Sequence, residues 1–160
     1  MIRWIAVCLA FWPQGAVALS CLPWGVPNAY LAAEKADERY VPVLGKLSFS
    51  PRDLPVVDMS RQDEAPPLTK IRARFDGHAL GRAGDWAISA EIVLEVACFG
   101  PWCSRPKQGE ILGFLREDSG TYALATNPCG GFLFGSPDAG DVQQMRDCVA
   151  GRGCEPVGWN

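Results

Sequence analysis

Histidine and closely paired thiols are scarce in this sequence, and their scarcity excludes several kinds of site. The 160-residue chain has one histidine, His78, and its 7 cysteines never occur as Cys-x-x-Cys. A zinc site usually takes paired cysteines or several histidines, and a dithiol redox site usually takes Cys-x-x-Cys. The Gly-x-Ser-x-Gly motif of an activated serine is also missing. We therefore predict no catalytic residue set, no metal site and no cofactor.

The sequence also lacks an excess of positive charge. Lys and Arg number 15 against 18 Asp and Glu, a net charge of −3, so there is no basic footprint for nucleic acid. Hydrophobic residues make up 48% and charged residues 21%, which is the balance of an ordinary globular domain and not of a disordered chain. A chain of 160 residues without internal repeats suits one domain.

The first twenty residues have the pattern of a signal peptide. Arg3 precedes an apolar run at residues 4–12, and Ala16-Val17-Ala18 matches a signal peptidase site. The run is too short to span a bilayer and no second long run follows, so we expect no membrane span after cleavage. We predict a secreted or periplasmic protein in which residues 1–20 are the signal and residues 21–160 form a single disulfide-stabilised, β-rich domain. Cleavage after Ala18 is favoured, with cleavage after Ser20 close behind.

Lipidation of Cys21 is an alternative end to this signal. Lipidation signals usually place Leu three residues before the cysteine, and Leu19 lies one position too late. Cys8 leaves with the signal, so six cysteines remain, an even number that predicts three disulfides in an oxidising compartment. Lipidation would leave one thiol unpaired, so the cysteine count favours the disulfide framework.

The spacing of these six cysteines favours one pairing among fifteen. A bridge across the Gly-Pro turn between Cys98 and Cys103 is sterically easy. A bridge from Cys148 to Cys154 can close the end of the last helix. Cys21 and Cys129 then remain, and their bridge would tie the amino terminus to the strands.

Apolar periodicity predicts five or six strands between two helices. The strands fall at 40–49, 70–75, 86–98, 110–115 and 121–126, with a short sixth at 132–134. Residues 50–67 read as a long exposed loop that has room for one short turn, and 117–120 as a hairpin turn. The leading helix covers 27–37, and the trailing helix starts with Ser136 as N-cap and Pro137 as its first residue.

These elements predict a mainly β (α+β) fold. It is a small five- to six-stranded, mostly antiparallel, OB-like barrel or curled sheet, disulfide-stapled, with an N-terminal and a C-terminal helix.

Few polar residues qualify as a site. His78 could act as a base with Asp76, although an exposed turn histidine is the favoured interpretation. Glu91 and Glu95 share one face of the 86–98 strand, which we assign to solvent, with a carboxylate pair in a barrel mouth as the alternative. The acidic residues of the 50–67 loop lack the spacing of a calcium loop and are assigned to solvent. They are Asp53, Asp58, Asp63 and Glu64.

The turn Phe99-Gly100-Pro101-Trp102 carries two aromatic residues between two cysteines. An aromatic pair on a covalently closed loop is a candidate contact for a protein partner. The equally weighted alternative is that Trp102 folds back over the core. Phe99 and Trp102 are the only partner-contact residues that the sequence proposes.

The order of these features resembles the netrin-like module, the OB-type barrel shared with tissue inhibitors of metalloproteinases. The resemblance rests on Cys21-Leu-Pro, the strand 109–115, Cys129-Gly130 and the closing Gly153-Cys154-Glu155. It covers most of 21–155, although members usually begin Cys-x-Cys and Cys21 stands alone. In the inhibitors the amino group and carbonyl of the first cysteine chelate the protease zinc, which here involves only Cys21. The family pairings agree with Cys21–Cys129 and argue against a local Cys98–Cys103 bridge.

Three functions follow as hypotheses. The preferred one is an exported, non-catalytic binding or interaction module with an unknown protein partner. The alternative is a protease inhibitor of the metalloproteinase-inhibitor type. The weaker alternative is a small enzyme that uses His78.

Overall fold

Two helices, eight strands and two single-turn helices form the described part of the chain. The computed structural model describes residues 19–158, so the signal predicted at 1–20 lies outside the described residues apart from Leu19 and Ser20. The helices are α1 (Val26–Lys35) and α2 (Ala139–Ala150). The strands are β1 (Tyr40–Phe49), β2 (Leu68–Ala79), β3 (Trp86–Phe99), β4 (Trp102–Cys103), β5 (Gly109–Asp118), β6 (Thr121–Asn127), β7 (Gly130–Gly131) and β8 (Leu133–Gly135). The predicted loop 50–67 contains two 3-10 turns, Pro51–Asp53 and Gln62–Glu64, one more than the single short turn considered from the sequence.

Five strands close into a barrel in the order β1-β2-β3-β6-β5 and back to β1. This is a Greek-key barrel of the OB type, and it confirms the predicted small, disulfide-stapled β barrel with two helices. Four of the five pairings are antiparallel. The closing pair, β3 with β6, is parallel, which the predicted antiparallel barrel did not include. The other strands are short and extend the edges of the barrel.

Period-two alternation places the apolar side chains of β2 and β3 inside the barrel. Ile71, Ala73 and Phe75 of β2 are buried, as the alternation predicts. The same holds for Ile92, Leu94 and Val96 of β3. The barrel interior is therefore filled by side chains that the sequence pattern identifies.

β2 continues four residues beyond the predicted strand, to Ala79. In the added segment Gly77 pairs with Gly45 of β1. A Cβ on Gly45 would lie 2.5 Å from the carbonyl oxygen of Asp76, so no side chain fits between the two strands there. The close approach of the two glycines lets pairing continue through a segment whose composition reads as a turn.

A second apolar layer lies outside the barrel, beneath the two helices. It contains Val26 and Ala29 of α1, Met145 of α2, and Leu112 and Phe114 of β5. Leu112 and Phe114 alternate with Ile111 and Leu115, which face the barrel interior. β5 is therefore apolar on both faces, as a strand between two buried layers should be.

The trailing helix begins later than its sequence predicts. Ser136 has a φ of +52°, so the chain turns there and Ser136 is not the N-cap. Asp138 is the N-cap instead: its carboxylate accepts a hydrogen bond from the Asp141 backbone N–H at 2.8 Å, and the Asp141 carboxylate accepts one from the Asp138 N–H at 3.2 Å. This reciprocal capping box satisfies two backbone donors at the start of the helix.

The six cysteines of residues 21–160 form three disulfides, Cys21–Cys129, Cys98–Cys103 and Cys148–Cys154. These are the three pairs that the spacing favours. The local Cys98–Cys103 bridge is present although the netrin-like resemblance argues against it. Three disulfides are compatible with an oxidising compartment.

Within residues 19–158, neither helix has the length and apolar character that crossing a membrane requires.

Removal of the Cys21–Cys129 bridge should destabilise the protein more than removal of either local bridge. The bridge closes a loop with a sequence separation of 108, and the separations of the other two are 5 and 6. Chain entropy predicts a loss of about 4–5 kcal/mol in the free energy of unfolding for the long loop and about 2 kcal/mol for a short one. Guanidinium titrations of the paired Cys→Ser variants test this ranking. An equal loss for Cys98→Ser/Cys103→Ser would contradict it.

The ion pair between Asp85 and Arg146 should stabilise the docked helix α2 only above acid pH. The two side chains approach to 2.9 Å, and the hydrogen bond from Arg146 lowers the pKa of Asp85. The stabilisation is therefore present above the unfolded pKa of about 4 and is lost as pH falls through the folded pKa. Asp85→Asn should lower the free energy of unfolding by up to about 1 kcal/mol at neutral pH and less in acid.

Urea titrations of Asp85→Asn at neutral and acid pH measure this difference. Glu110→Gln is the matched control, because Glu110 is exposed and forms no ion pair in the described part of the chain. If the loss of unfolding free energy in Asp85→Asn were larger at acid pH than at neutral pH, the predicted direction of the pH dependence would be wrong.

Candidate partner-binding groove

A groove runs along the outer surface of the barrel where β3 pairs with β6. We call it the seam groove and define it by Trp24, Leu68, Ala97, Phe99, Ala125 and Phe132. Ala97 and Ala125 form its floor, because both face outward from adjacent strands and carry only a methyl group. The groove has a volume of about 270 Å³. Small residues on the floor and large ones beside them make a site for an inserted side chain.

The walls of the seam groove are apolar and unusually exposed. Leu68 and Phe99, on the β2–β3 side, are 46% and 43% exposed. Trp24 is 39% exposed, and Leu22 nearby in the chain is 74% exposed. Single exposed apolar residues are ordinary on a protein surface, but several side by side indicate an interaction surface.

The wall formed by Trp24 is fixed by a hydrogen bond and a disulfide. The indole N–H of Trp24 donates to the carbonyl oxygen of Gly131 at 2.8 Å. The ring lies so close to Gly130 that a Cβ there would be 2.5 Å from it. The Cys21–Cys129 bridge holds the segment before Trp24 against the same turn. Sequence reasoning missed Trp24, because the contacts that bring the amino-terminal segment to the groove join residues more than a hundred positions apart in the sequence.

The predicted contact residues Phe99 and Trp102 have different environments. They are paired across β3 and β4, next to the disulfide between Cys98 and Cys103. Phe99 points into the seam groove, whereas Trp102 is half-buried and lines a neighbouring depression with Leu19 and Pro128. The turn between them needs Gly100, whose φ is +58°. Of this pair, only Phe99 lines the seam groove.

Glu95 lies at the end of the seam groove and is buried, which corrects its assignment to a solvent-exposed face. It is 7% exposed, and its carboxylate accepts two hydrogen bonds from Arg116, at 3.1 and 3.2 Å. Lys70 lies 3.3 Å away on the other side. Burial of Arg116 opposes its charge, but the hydrogen bond and the charge of Glu95 outweigh burial and raise the Arg116 pKa.

This ion cluster reaches across the strand that closes the barrel. Arg116 is on β5 and Glu95 on β3, with β6 between them. The guanidinium reaches Glu95 over Ala123 and Ala125, which leave room for it. The alternation of residues along β3 does not predict this ion pair, because Arg116 lies on another strand, 21 residues from Glu95 in the sequence. The only local feature of the sequence that agrees with this ion pair is the pair of small residues in β6, Ala123 and Ala125.

Two basic side chains adjoin the seam groove. Arg105 and Lys107 are exposed and line a depression that shares Thr126 and Asn127 with the groove. Ser104 anchors their loop: its hydroxyl is buried and lies 2.7 Å from the Thr126 hydroxyl. Neither basic residue forms an ion pair within the described part of the chain. An acidic protein therefore presents a locally basic rim here.

The structure does not join His78 and Asp76 into a catalytic pair. His78 is exposed but lies within β2, so the prediction that it occupies a turn is wrong. Pairing of β2 with β1 through Gly77 explains the difference. Asp76 accepts hydrogen bonds from Ser89 and from Arg74, and these two contacts lower the Asp76 pKa. Its carboxylate is thus committed to partners other than His78.

Three of the remaining acidic candidates, Glu91, Asp58 and Glu64, also have partners. Glu91 lies 3.6 Å from Arg74 and is exposed, so it does not form a paired site with Glu95. In the 50–67 loop, Asp58 bonds Ser60 and Arg61, and Arg61 also bonds Glu64. Among the residues that the structure describes, no group of three or more His, Cys, Asp or Glu could hold a metal ion.

Comparison with known proteins does not assign this chain to a family. No family model matches the chain, and no curated protein or solved structure is significantly similar to it.

Neutralisation of Glu95 should destabilise the barrel. Glu95→Gln removes the nearest counter-charge of Arg116, which should lower the free energy of unfolding by about 1–3 kcal/mol. This is less than for a fully buried pair because Arg116 is 21% exposed and also lies 4.0 Å from Asp118. Glu91→Gln is the matched control on the same face of β3 and should change it by less than about 0.5 kcal/mol. Urea titrations compare the two, and equal effects would contradict a structural role for Glu95.

Proposed function

We propose that this protein is an exported, secreted or periplasmic, non-catalytic interaction module that binds an acidic segment of a protein partner in the seam groove. The exposed apolar walls carry the proposal, because Trp24, Leu68 and Phe99 stand beside one another over a floor of alanines. Aromatic side chains around a small pocket are typical of the central contacts of protein interfaces. The partner would insert one aromatic or aliphatic side chain between these walls.

The charge of the rim supports an acidic partner. Arg105 and Lys107 adjoin one end of the groove, and Lys70 is exposed beside Glu95 at the other. Glu95 itself is already bonded to Arg116 and Lys70, so it offers little to a cationic ligand. Complementary charge sets the orientation and the association rate of a partner more than its affinity. We therefore place carboxylates of the partner on both sides of its apolar anchor.

Export is supported by two independent features. The signal pattern of residues 1–20 predicts a route out of the cytoplasm. The three disulfides persist in an oxidising compartment and would be unusual in a reducing one. A non-catalytic role is supported by Asp76, which is engaged by Ser89 and Arg74 instead of orienting His78.

Selection of displayed random peptides on the protein tests the groove. Enriched peptides should carry an aromatic or aliphatic residue flanked by Asp or Glu. Ala97→Phe fills the floor and should weaken their binding at least about tenfold, whereas Ala87→Phe, at an exposed position on the same face of β3, should not. Arg105→Glu/Lys107→Glu should weaken binding at low salt, and Arg52→Glu should not. Peptides that bind Ala97→Phe as tightly as the unmodified protein would overturn the proposal.

Enzymatic activity is a separate test. If the purified protein showed hydrolase or thiol-exchange activity, and that activity disappeared in His78→Ala or Cys103→Ser, the non-catalytic role would be abandoned. The weaker alternative, an enzyme using His78, would then take its place.

A protease inhibitor of the metalloproteinase-inhibitor type is the second candidate. It is favoured by the position of Cys21, whose disulfide partner Cys129 adjoins the turn that holds Trp24. The netrin-like resemblance requires the amino group of Cys21 to be free. Sequencing the mature amino terminus decides this point: a start at Cys21 supports the inhibitor, and a start at Leu19 eliminates zinc chelation by Cys21.

A further inference from the structure

A second concave site lies between the two helices and β1. We call it the helical cleft and define it by Tyr30, Ala33, Glu34, Tyr40, Arg82 and Phe114. It has a volume of about 290 Å³ and continues into a cavity of about 150 Å³, with which it shares Arg82 and Val149. Together the two reach the lower end of the size range of small-molecule sites, which begins at roughly 300 Å³.

One wall of the helical cleft is aromatic and rigid. Phe114 is 1% exposed and packs edge-on against Tyr30, with ring centroids 6.3 Å apart. The ring of Phe132 packs edge-on against Phe114, with ring centroids 5.8 Å apart. It also contacts the ring of Tyr40, with centroids 4.6 Å apart. Tyr30 and Tyr40 are only half-buried and rest on Phe114 and Phe132, so a planar apolar ligand could stack against the two tyrosine rings.

The opposite lip carries an arginine without a counter-charge. Arg82 donates from Nε to the carbonyl oxygen of Val149 at 3.3 Å and forms no ion pair within residues 19–158. Its basic neighbours are neutralised: Arg146 is bonded to Asp85 and Arg152 to Asp147. The terminal nitrogens of Arg82 are therefore the groups that remain to bind an anion.

The acidic side of the cleft limits the charge that a ligand can carry. Glu34 lies near the phenol of Tyr30, and burial together with this carboxylate raises the Tyr30 pKa, so the phenol stays protonated. A dianion such as a phosphate monoester would meet repulsion from Glu34. A carboxylate has a single charge and a planar shape that matches a guanidinium.

We propose that the helical cleft binds a small aromatic monocarboxylate, with its ring against Tyr30 and Tyr40 and its carboxylate on the guanidinium of Arg82. The site is distinct from the seam groove in both location and ligand, so each can fail without the other. A small molecule suits this site because its walls are half-buried aromatic rings, whereas the walls of the seam groove are exposed apolar side chains.

Titration of the disulfide-bonded protein with 3-phenylpropionate tests this proposal, with binding followed by NMR chemical shifts at physiological ionic strength. The neutral isostere 3-phenylpropan-1-ol separates the contribution of the carboxylate from that of the ring. We expect saturable shifts at residues of the helical cleft and at least about tenfold tighter binding of the acid than of the alcohol.

Variants then assign the binding to the cleft. Arg82→Gln should reduce the affinity for 3-phenylpropionate to that for the alcohol and leave the alcohol unaffected. Arg72→Gln is the matched control, since Arg72 is exposed on β2 and forms no ion pair in the described part of the chain. Ala33→Leu narrows the cleft from α1 and should weaken both ligands.

Three results would overturn the proposal. They are equal affinity for the acid and the alcohol, shifts that map outside the cleft or do not saturate, and equal effects of Arg82→Gln and Arg72→Gln. None of them bears on peptide binding in the seam groove, because Arg82 lies outside it.

Discussion

Closure of the barrel by the parallel pairing of β3 with β6 is the contact on which the other features depend. It joins strands that are separated in the chain by β4 and β5, and it brings Glu95 within reach of Arg116. The ion pair crosses β6 on the outer surface, while Leu94 and Leu124 meet inside the barrel. The seam groove exists only along this closed edge, since its floor consists of one residue from each of the two strands.

The two proposed sites share one structural support. Phe132 contributes to the seam groove and also contacts Phe114 and Tyr40, which line the helical cleft. The aromatic cluster between barrel and helices therefore fixes a wall of both sites. Disulfides fix the parts of the seam groove that this cluster does not contact. Cys21–Cys129 fixes the segment that carries Trp24, and Cys98–Cys103 closes the turn after Phe99. Each site is thus built from rigid elements, which limits the entropy lost on binding.

The sequence predicted the elements better than it predicted the sites. Alternation identifies β2 and β3 because a strand buried on one face repeats every two residues, a local property. The pattern fails at Gly77, where composition indicates a turn but pairing with Gly45 maintains the strand. Phe99 could be proposed as a contact because a short disulfide loop exposes it. Trp24 and Glu95 could not, because their partners Gly131 and Arg116 lie far away in the sequence.

By itself, the sequence determined the class of fold, the positions of the strands and helices to within a few residues, and the favoured cysteine pairs. These follow from local periodicity, turn residues and spacing, which act over a few neighbouring residues. Only the tertiary structure decided that the sheet closes through a parallel pair, that Glu95 is buried, and that two separate clefts form. The reason is physical: burial and counter-charge are set by which strands become neighbours, and that depends on contacts between residues distant in the chain.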